Sequence, residues 1–141
     1  MLQPVIDDDG APFWEYAAEG ELRIQECTSC NELRFPPRPC CPHCQSFESD
    51  WRLMSGRARI WSYVFPHPPL LPEYAEMAPY NAVVVELADA PQIRLVGNVV
   101  AEAGARLDSV DPGKLRIGAR VQVVFAEVEG MTVPQWLLER P

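Results

Sequence analysis

The spacing of apolar and polar positions changes along the chain, and each change predicts a different element. Residues 12 to 19, "PFWEYAAE", open with Pro12 and run into Gly20, which predicts a short helix with proline at its start and glycine near its end. "LRIQE" (22 to 26) and "ELRF" (32 to 35) alternate, and predict two short strands of a hairpin. From Arg57 onward alternation dominates. "RARIWSYVF" predicts a strand, "YNAVVVELADAPQIRLVGNVV" two more joined at "ADAP", and "ARVQVVFAEVEGMTVPQWLLE" a final hairpin turning about Glu129 and Gly130. "DSVDPGKLRIG" carries turn signals and predicts a short helical turn at most. Five strands with an irregular connection between the third and fourth match the element order of an OB-fold barrel, although a five-stranded barrel of another topology shares that order. The expected fold class is mainly β. A flexible N-terminus (1–11) precedes a helix and ribbon (12–50) and a barrel domain (51–141).

Composition narrows the setting. A chain of 141 residues with 48% hydrophobic content suits one ordinary domain, or a small module joined to a larger one. No run approaches the roughly 18 apolar residues of a membrane span. "MLQPVIDDDGAP" is acidic where a secretion signal would be basic and then apolar, so the expected location is the cytoplasm. The acidic run at 7–9 is expected to be solvated and partly disordered. In a reducing compartment clustered cysteines serve as metal ligands or redox groups more often than as disulfides, and an odd count of five argues further against a disulfide framework.

All five cysteines lie in "CTSCNELRFPPRPCCPHC", residues 27 to 44. Cys27 with Cys30 and Cys41 with Cys44 form two Cys-x-x-Cys pairs, each able to set two thiolates on one side of a tight turn. Choosing Cys40 in place of Cys41 would break the symmetry of the two turns, and Pro42 biases Cys41 toward an extended backbone, so Cys40 is the spare. Four thiolates close a tetrahedral site and leave no open position for water or substrate, which predicts a structural zinc rather than a catalytic one. His43 as a substitute ligand and iron as the metal both remain open on spacing alone.

The short helix, "GELRIQECTSCNELRFPPRPCCPHC", the following "SGRARIWSYV" and the late "LRIGARVQVVFAEVEGMTVPQW" together resemble the bacterial and archaeal family of acyl-CoA-associated zinc-ribbon OB-fold proteins, long catalogued as a domain of unknown function. The likeness spans about residues 12 to 138 and is most specific at the ribbon's "RFPPRPxCPxC". It implies a rubredoxin-like ribbon followed by an OB-fold. It also implies an accessory subunit working beside a thiolase-superfamily enzyme (thiolase, acyltransferase or aldolase type), or beside a MaoC-like enoyl-CoA hydratase, including those of steroid side-chain breakdown. Cys40 departs from the family pattern and adds a free thiol.

Chemistry belonging to the chain itself is sparse. His43 and His67 are the two histidines, and neither has a serine, cysteine or carboxylate at a spacing that suggests a triad or acid–base pair. A binding subunit is therefore expected, not an independent enzyme. The net charge of −8 opposes a phosphate backbone as partner, so nucleic acid is disfavoured. Residues 34 to 59 nevertheless carry +3 while the remainder carries −11. Arg34, Arg38, Arg57 and Arg59 in that stretch are candidate contacts for a small phosphorylated ligand such as the nucleotide end of CoA, unless they merely pair with nearby carboxylates. Phe13 and Trp14 on the helix, with Leu70, Leu71 and Tyr74 in the long "PHPPLLPEYAEMAP" loop, are candidate contacts for a partner enzyme or an acyl group. The alternatives are a plain core contact for the helix and a loop folded back as a lid over its own core.

Overall fold

The computed structural model describes residues 2–140. Helix α1 (Ala11–Ala18) begins one residue earlier than expected, with Gly10 at its N-terminal boundary and Pro12 in its first turn. The acidic run before it is not idle: the Asp7 carboxylate accepts the Gly10 amide at 2.6 Å, and the Asp7 carbonyl accepts that of Ala11. Gly20, at φ +78°, ends the helix by returning its amide to Ala17 while Glu21 returns to Tyr16. Phe13 and Ala17, four residues apart, form the buried face.

The ribbon is a three-stranded antiparallel sheet in the order β2 (Leu33–Arg34), β1 (Arg23–Cys27), β3 (Ser49–Leu53). The first two strands are those expected; the third runs across residues 50 and 51 and pairs with the full length of β1, from Arg23↔Leu53 to Cys27↔Ser49. Its side chains are exposed on both faces apart from the half-buried Trp51, so it carries no alternating apolar signal.

Strands β4 (Arg57–Val64), β5 (Ala82–Leu87), β6 (Arg94–Gly97), β7 (Arg120–Val128) and β8 (Met131–Leu138) form a second antiparallel sheet in the order β6-β5-β4-β7-β8. A bridge between Val99 and Trp136, parallel in sense, closes this sheet into a barrel. Two hydrogen bonds secure the seam, Trp136 N–H to the Asn98 carbonyl (3.0 Å) and Val100 N–H to that of Trp136 (2.9 Å). Element order together with this closure makes the domain an OB-fold. Between β4 and β5 lies a single helical turn, α2 (Pro72–Ala75); the passage from β6 to β7 contains a 3-10 turn at Pro112–Lys114. The β7–β8 hairpin turns at Glu129 and Gly130, whose φ values of 48° and 84° match a two-residue turn of the left-handed kind.

Inward residues of alternate strand positions fill the barrel, among them Ile60, Val83, Val85, Leu95, Val121 and Trp136, each at most 4% exposed. The same cluster contains Phe13, Leu22, Ile24 and Met54 from the helix and ribbon side, so one apolar core runs through both parts. At Gly97 the backbone lies so close to the indole that an added Cβ would meet Trp136 Cδ1 and Nε1 at 3.0 Å, which is why the strand carries no side chain there. A smaller cluster of Met77, Val100 and Leu107, joined by Tyr74 and Tyr80, ties the β4–β5 loop down onto the barrel. Among the described residues no helix is long and apolar enough to cross a membrane.

Candidate functional site

The two Cys-x-x-Cys pairs are one turn built twice. Cys27 N–H reaches the Glu32 carbonyl and Asn31 N–H returns to Cys27; fourteen positions later Cys41 N–H reaches Ser46 and Gln45 N–H returns to Cys41, all at 2.8–2.9 Å. Asn31 and Gln45 each take φ 62°, the left-handed conformation that lets the chain double back under the sulfurs. The turns bring Cys27 Sγ within 3.5 Å of Cys44 Sγ and Cys30 Sγ within 3.7 Å of Cys41 Sγ, and all four sulfurs lie within 4.8 Å of one another. A zinc ion held at about 2.3 Å by a tetrahedron of thiolates spaces its sulfurs about 3.8 Å apart, so the donor set fits the metal.

Electrostatics point the same way. Backbone N–H groups of Cys30 and Ser29, partly opposed by burial, hold the Cys27 thiol down at about 6. The amides of Cys44 and His43 lower Cys41 likewise. Cys30 accepts the Glu32 amide, yet burial and the neighbouring Cys44, Cys27 and Cys41 sulfurs outweigh it and push the thiol up to about 12. Cys44 is also raised: its bond from Ser46 is outweighed by Cys27 and burial. Four like charges cannot share so small a space, and a divalent cation is what allows all four sulfurs to ionise together. With four protein ligands the zinc is structural. It fixes the two turns and offers no open coordination position for substrate. The Cys40 sulfhydryl lies outside the cluster, directed at the Cys41 carbonyl at 3.7 Å, and His43 is exposed beside it.

Arg34, expected among anion contacts, is instead 3% exposed. Its Nε donates to Gln25 Oε1 and its Nη2 to the Arg38 carbonyl, while Gln25 also accepts the Arg38 amide and donates to Ser49 Oγ. The guanidinium thus pins the Phe35–Arg38 segment to β1, and Gln25 in turn ties β1 to β3. Arg38, Arg57 and Arg59 are exposed. Arg57 and Arg59 project outward on β4 either side of the buried Ala58, with Arg120 and Glu86 as the cross-strand neighbours of Arg59.

Phe13, expected on a partner surface, is 5% exposed because it packs on Phe35 (ring centroids 5.6 Å) and edge-on to Trp14 (5.1 Å). Even so, Phe13, Trp14 and Tyr74 are brought together: with Phe35, Val133 and Pro134 they line an apolar groove of about 710 Å³ between α1, β6 and β8. Its strand walls are the third and fifth of the barrel, and Tyr74 comes from the loop that follows the first. The N-terminal segment at 2–4 lies in the same groove, where Leu2 N–H donates to the Tyr74 hydroxyl at 3.0 Å. Leu70 is half-buried and Leu71 is 57% exposed; neither lines the groove. Sequence reasoning missed Arg94, whose guanidinium stacks 3.9 Å over the Trp61 ring on the outer barrel face. It also missed Asn81, whose buried amide donates to the Val99 carbonyl and accepts the Val99 amide.

A four-cysteine ribbon joined to an OB-fold defines a zinc-ribbon OB-fold protein. The chain belongs to the ChsH2 family: residues 14–50 match the ChsH2 rubredoxin-like zinc ribbon domain and residues 51–126 the ChsH2 C-terminal OB-fold domain. It is 38% identical over 133 residues to a probable enoyl-CoA hydratase alpha subunit of Thermomonospora curvata, across 94% of this chain and 38% of that protein. It is 28% identical to the 3-oxo-4,17-pregnadiene-20-carboxyl-CoA hydratase alpha subunit of Mycobacterium tuberculosis, across 96% of this chain and 40% of that one. The chain thus spans about two-fifths of the length of these curated relatives. A solved structure titled Ltp2-ChsH2(DUF35) aldolase superposes with a TM-score of 0.81 at 35% identity, covering 96% of this chain and 98% of that one.

Proposed function

We propose that this chain is a non-catalytic accessory subunit of a cytoplasmic acyl-CoA-processing enzyme of the thiolase superfamily, of thiolase, acyltransferase or aldolase type, acting in the breakdown of steroid side chains or similar acyl chains. The observation that carries this reading is the apolar groove where Phe13, Trp14 and Tyr74 converge, in a chain whose metal site is closed to substrate. A surface of that kind takes a partner chain or an acyl group; it performs no acid–base or nucleophilic step. The likeness to the chain in the Ltp2-ChsH2(DUF35) aldolase structure favours an aldolase-type partner. A second reading, a MaoC-like hydratase as partner, is favoured by the two relatives named as hydratase alpha subunits. The exposed Arg57 and Arg59 on the barrel face would serve the phosphates of the CoA ester, and the exposed Leu71 with Leu70 the partner surface.

Co-expression pull-downs with an aldolase-type and a hydratase partner test it. Replacing Trp14 and Tyr74 with Ser should remove co-purification while zinc content stays at about one per chain. A zinc-loaded double variant that still assembles overturns the groove as the interface. Turnover of a CoA ester by the purified chain alone overturns the accessory role.

A further inference from the structure

A second concavity, about 940 Å³, opens between the 3-10 turn Pro112–Lys114 and the end of β8. Its wall carries Lys114, Arg116, Arg120 and Arg140 against the carboxylates of Asp111 and Glu139, with the Ser109 hydroxyl at its edge, in a chain whose net charge is −8. Asp111 is already committed, accepting the Gly113 amide at 2.9 Å to cap the turn. Arg116 is held in place by its Nη1, which donates to the Gly113 and Leu115 carbonyls at 2.6 and 2.9 Å. No ion pair among the described residues engages Lys114, Arg120 or Arg140, whereas Arg23, Arg52 and Arg106 are paired with Glu21, Glu26 and Asp108. Arg120 also stands directly opposite Arg59 across the β4–β7 pair, so the positive surface of the outer barrel face runs into this concavity.

We infer that this basic concavity, and not the ribbon's arginines, seats the phosphate groups of a nucleotide-type ligand, which on the proposed function is the 3′-phosphorylated ADP end of a CoA ester. The inference rests on that function for its choice of ligand. The volume lies within the usual range for small-molecule sites. Lys and Arg side chains that make no ion pair among the described residues provide the charge-assisted, salt-sensitive contacts that phosphates take, and a short concave site suits a phosphate pair better than a long polyanion.

The test is calorimetry of the zinc-loaded full chain with adenosine 3′,5′-bisphosphate and with CoA. Both should bind competitively and more weakly as salt rises. Lys114→Ala with Arg120→Ala should weaken both by roughly tenfold or more, since each lost contact is charge-assisted. Both side chains are exposed, so zinc content and the circular dichroism spectrum should stay unchanged, and Arg38→Ala should bind like the parent. Absent binding by the parent, or equal affinity in the double variant, overturns the inference. ATP displacing CoA on equal terms would support a seat for nucleotide phosphates in general, whereas a short RNA displacing CoA at lower concentration would assign the site to nucleic acid and overturn the inference. Pull-downs keep the two readings apart: a double variant that loses CoA but keeps its enzyme partner supports this site, and a parent that binds CoA but no enzyme overturns only the subunit role.

Discussion

Asp89 grips Ser55 with both oxygens of its carboxylate, one accepting the Ser55 amide and the other its hydroxyl, each at 2.7 Å. Ser55 sits between β3 and β4, where the chain leaves the ribbon sheet for the barrel, and Asp89 sits in the β5–β6 turn. The Ser55 hydroxyl first, then its amide, and then the fields of Arg57 and Arg52 hold the Asp89 carboxyl below its ordinary range. A carboxyl with a depressed folded value adds stability above its unfolded value near 4 and loses it as pH falls through the lower folded value. Asp89→Asn should therefore cost about 0.5–1 kcal/mol at neutral pH, modest because the site is exposed, and should shrink the stability lost below about pH 4. Urea melts of both proteins between pH 2.5 and 7 would show it; parallel curves would release Asp89 from this role.

At the metal, the asymmetry between Cys30 and Cys40 is open to direct measurement. The parent should carry about one zinc per chain. Cys30→Ser should lose the metal and unfold the ribbon, while Cys40→Ser should keep both metal and fold. Equal metal loss from the two variants would mean that the ligand set includes Cys40. A strong chelator should lower the melting temperature of the parent and of Cys40→Ser alike.

Asn81 lends the barrel seam its geometry by pairing with both backbone groups of Val99, at 2.8 and 2.7 Å, beside the Val99–Trp136 bridge. Asn81→Ala leaves a buried donor and a buried acceptor without partners, for a loss of about 1–3 kcal/mol. Hydrogen exchange should show it first at Val100, whose amide bonds across the seam to Trp136. Unchanged protection there would indicate that the barrel closes without this side chain.

The metal ligands were legible because two identical turns impose identical spacing, and the barrel strands because one face of each meets the core. β3 was hidden: its side chains are exposed on both faces and offer no period to detect. Arg34 misled because charge in a sequence suggests solvent, and what buries it is Gln25, nine residues earlier, together with a carbonyl four residues later. The basic concavity draws its walls from residues 100 to 101, 109 to 120 and 137 to 140, segments that only the return of β8 brings side by side. Phe13 was expected at a partner surface, since nothing local shows that ribbon and barrel share one core.

Arg34→Lys isolates the geometry of that buried guanidinium from its charge. A lysine cannot span Gln25 Oε1 and the Arg38 carbonyl with the same planar fork, so stability should fall by about 1–3 kcal/mol with zinc stoichiometry unchanged. Equal denaturation midpoints would imply that charge alone suffices at this position.

Because β3 runs through residues 50 and 51 and hands the chain on through Met54, whose amide bonds the Leu22 carbonyl at 2.8 Å, ribbon and barrel are not interchangeable parts. A cut between residues 50 and 51 divides a paired strand and opens the apolar cluster that Ile24 shares with Ile60 and Val85. A protease should find no ready site there in the native chain. Grafting a foreign ribbon onto this barrel would require Phe13, Leu22, Ile24 and Trp51 to travel with it as a single inherited surface.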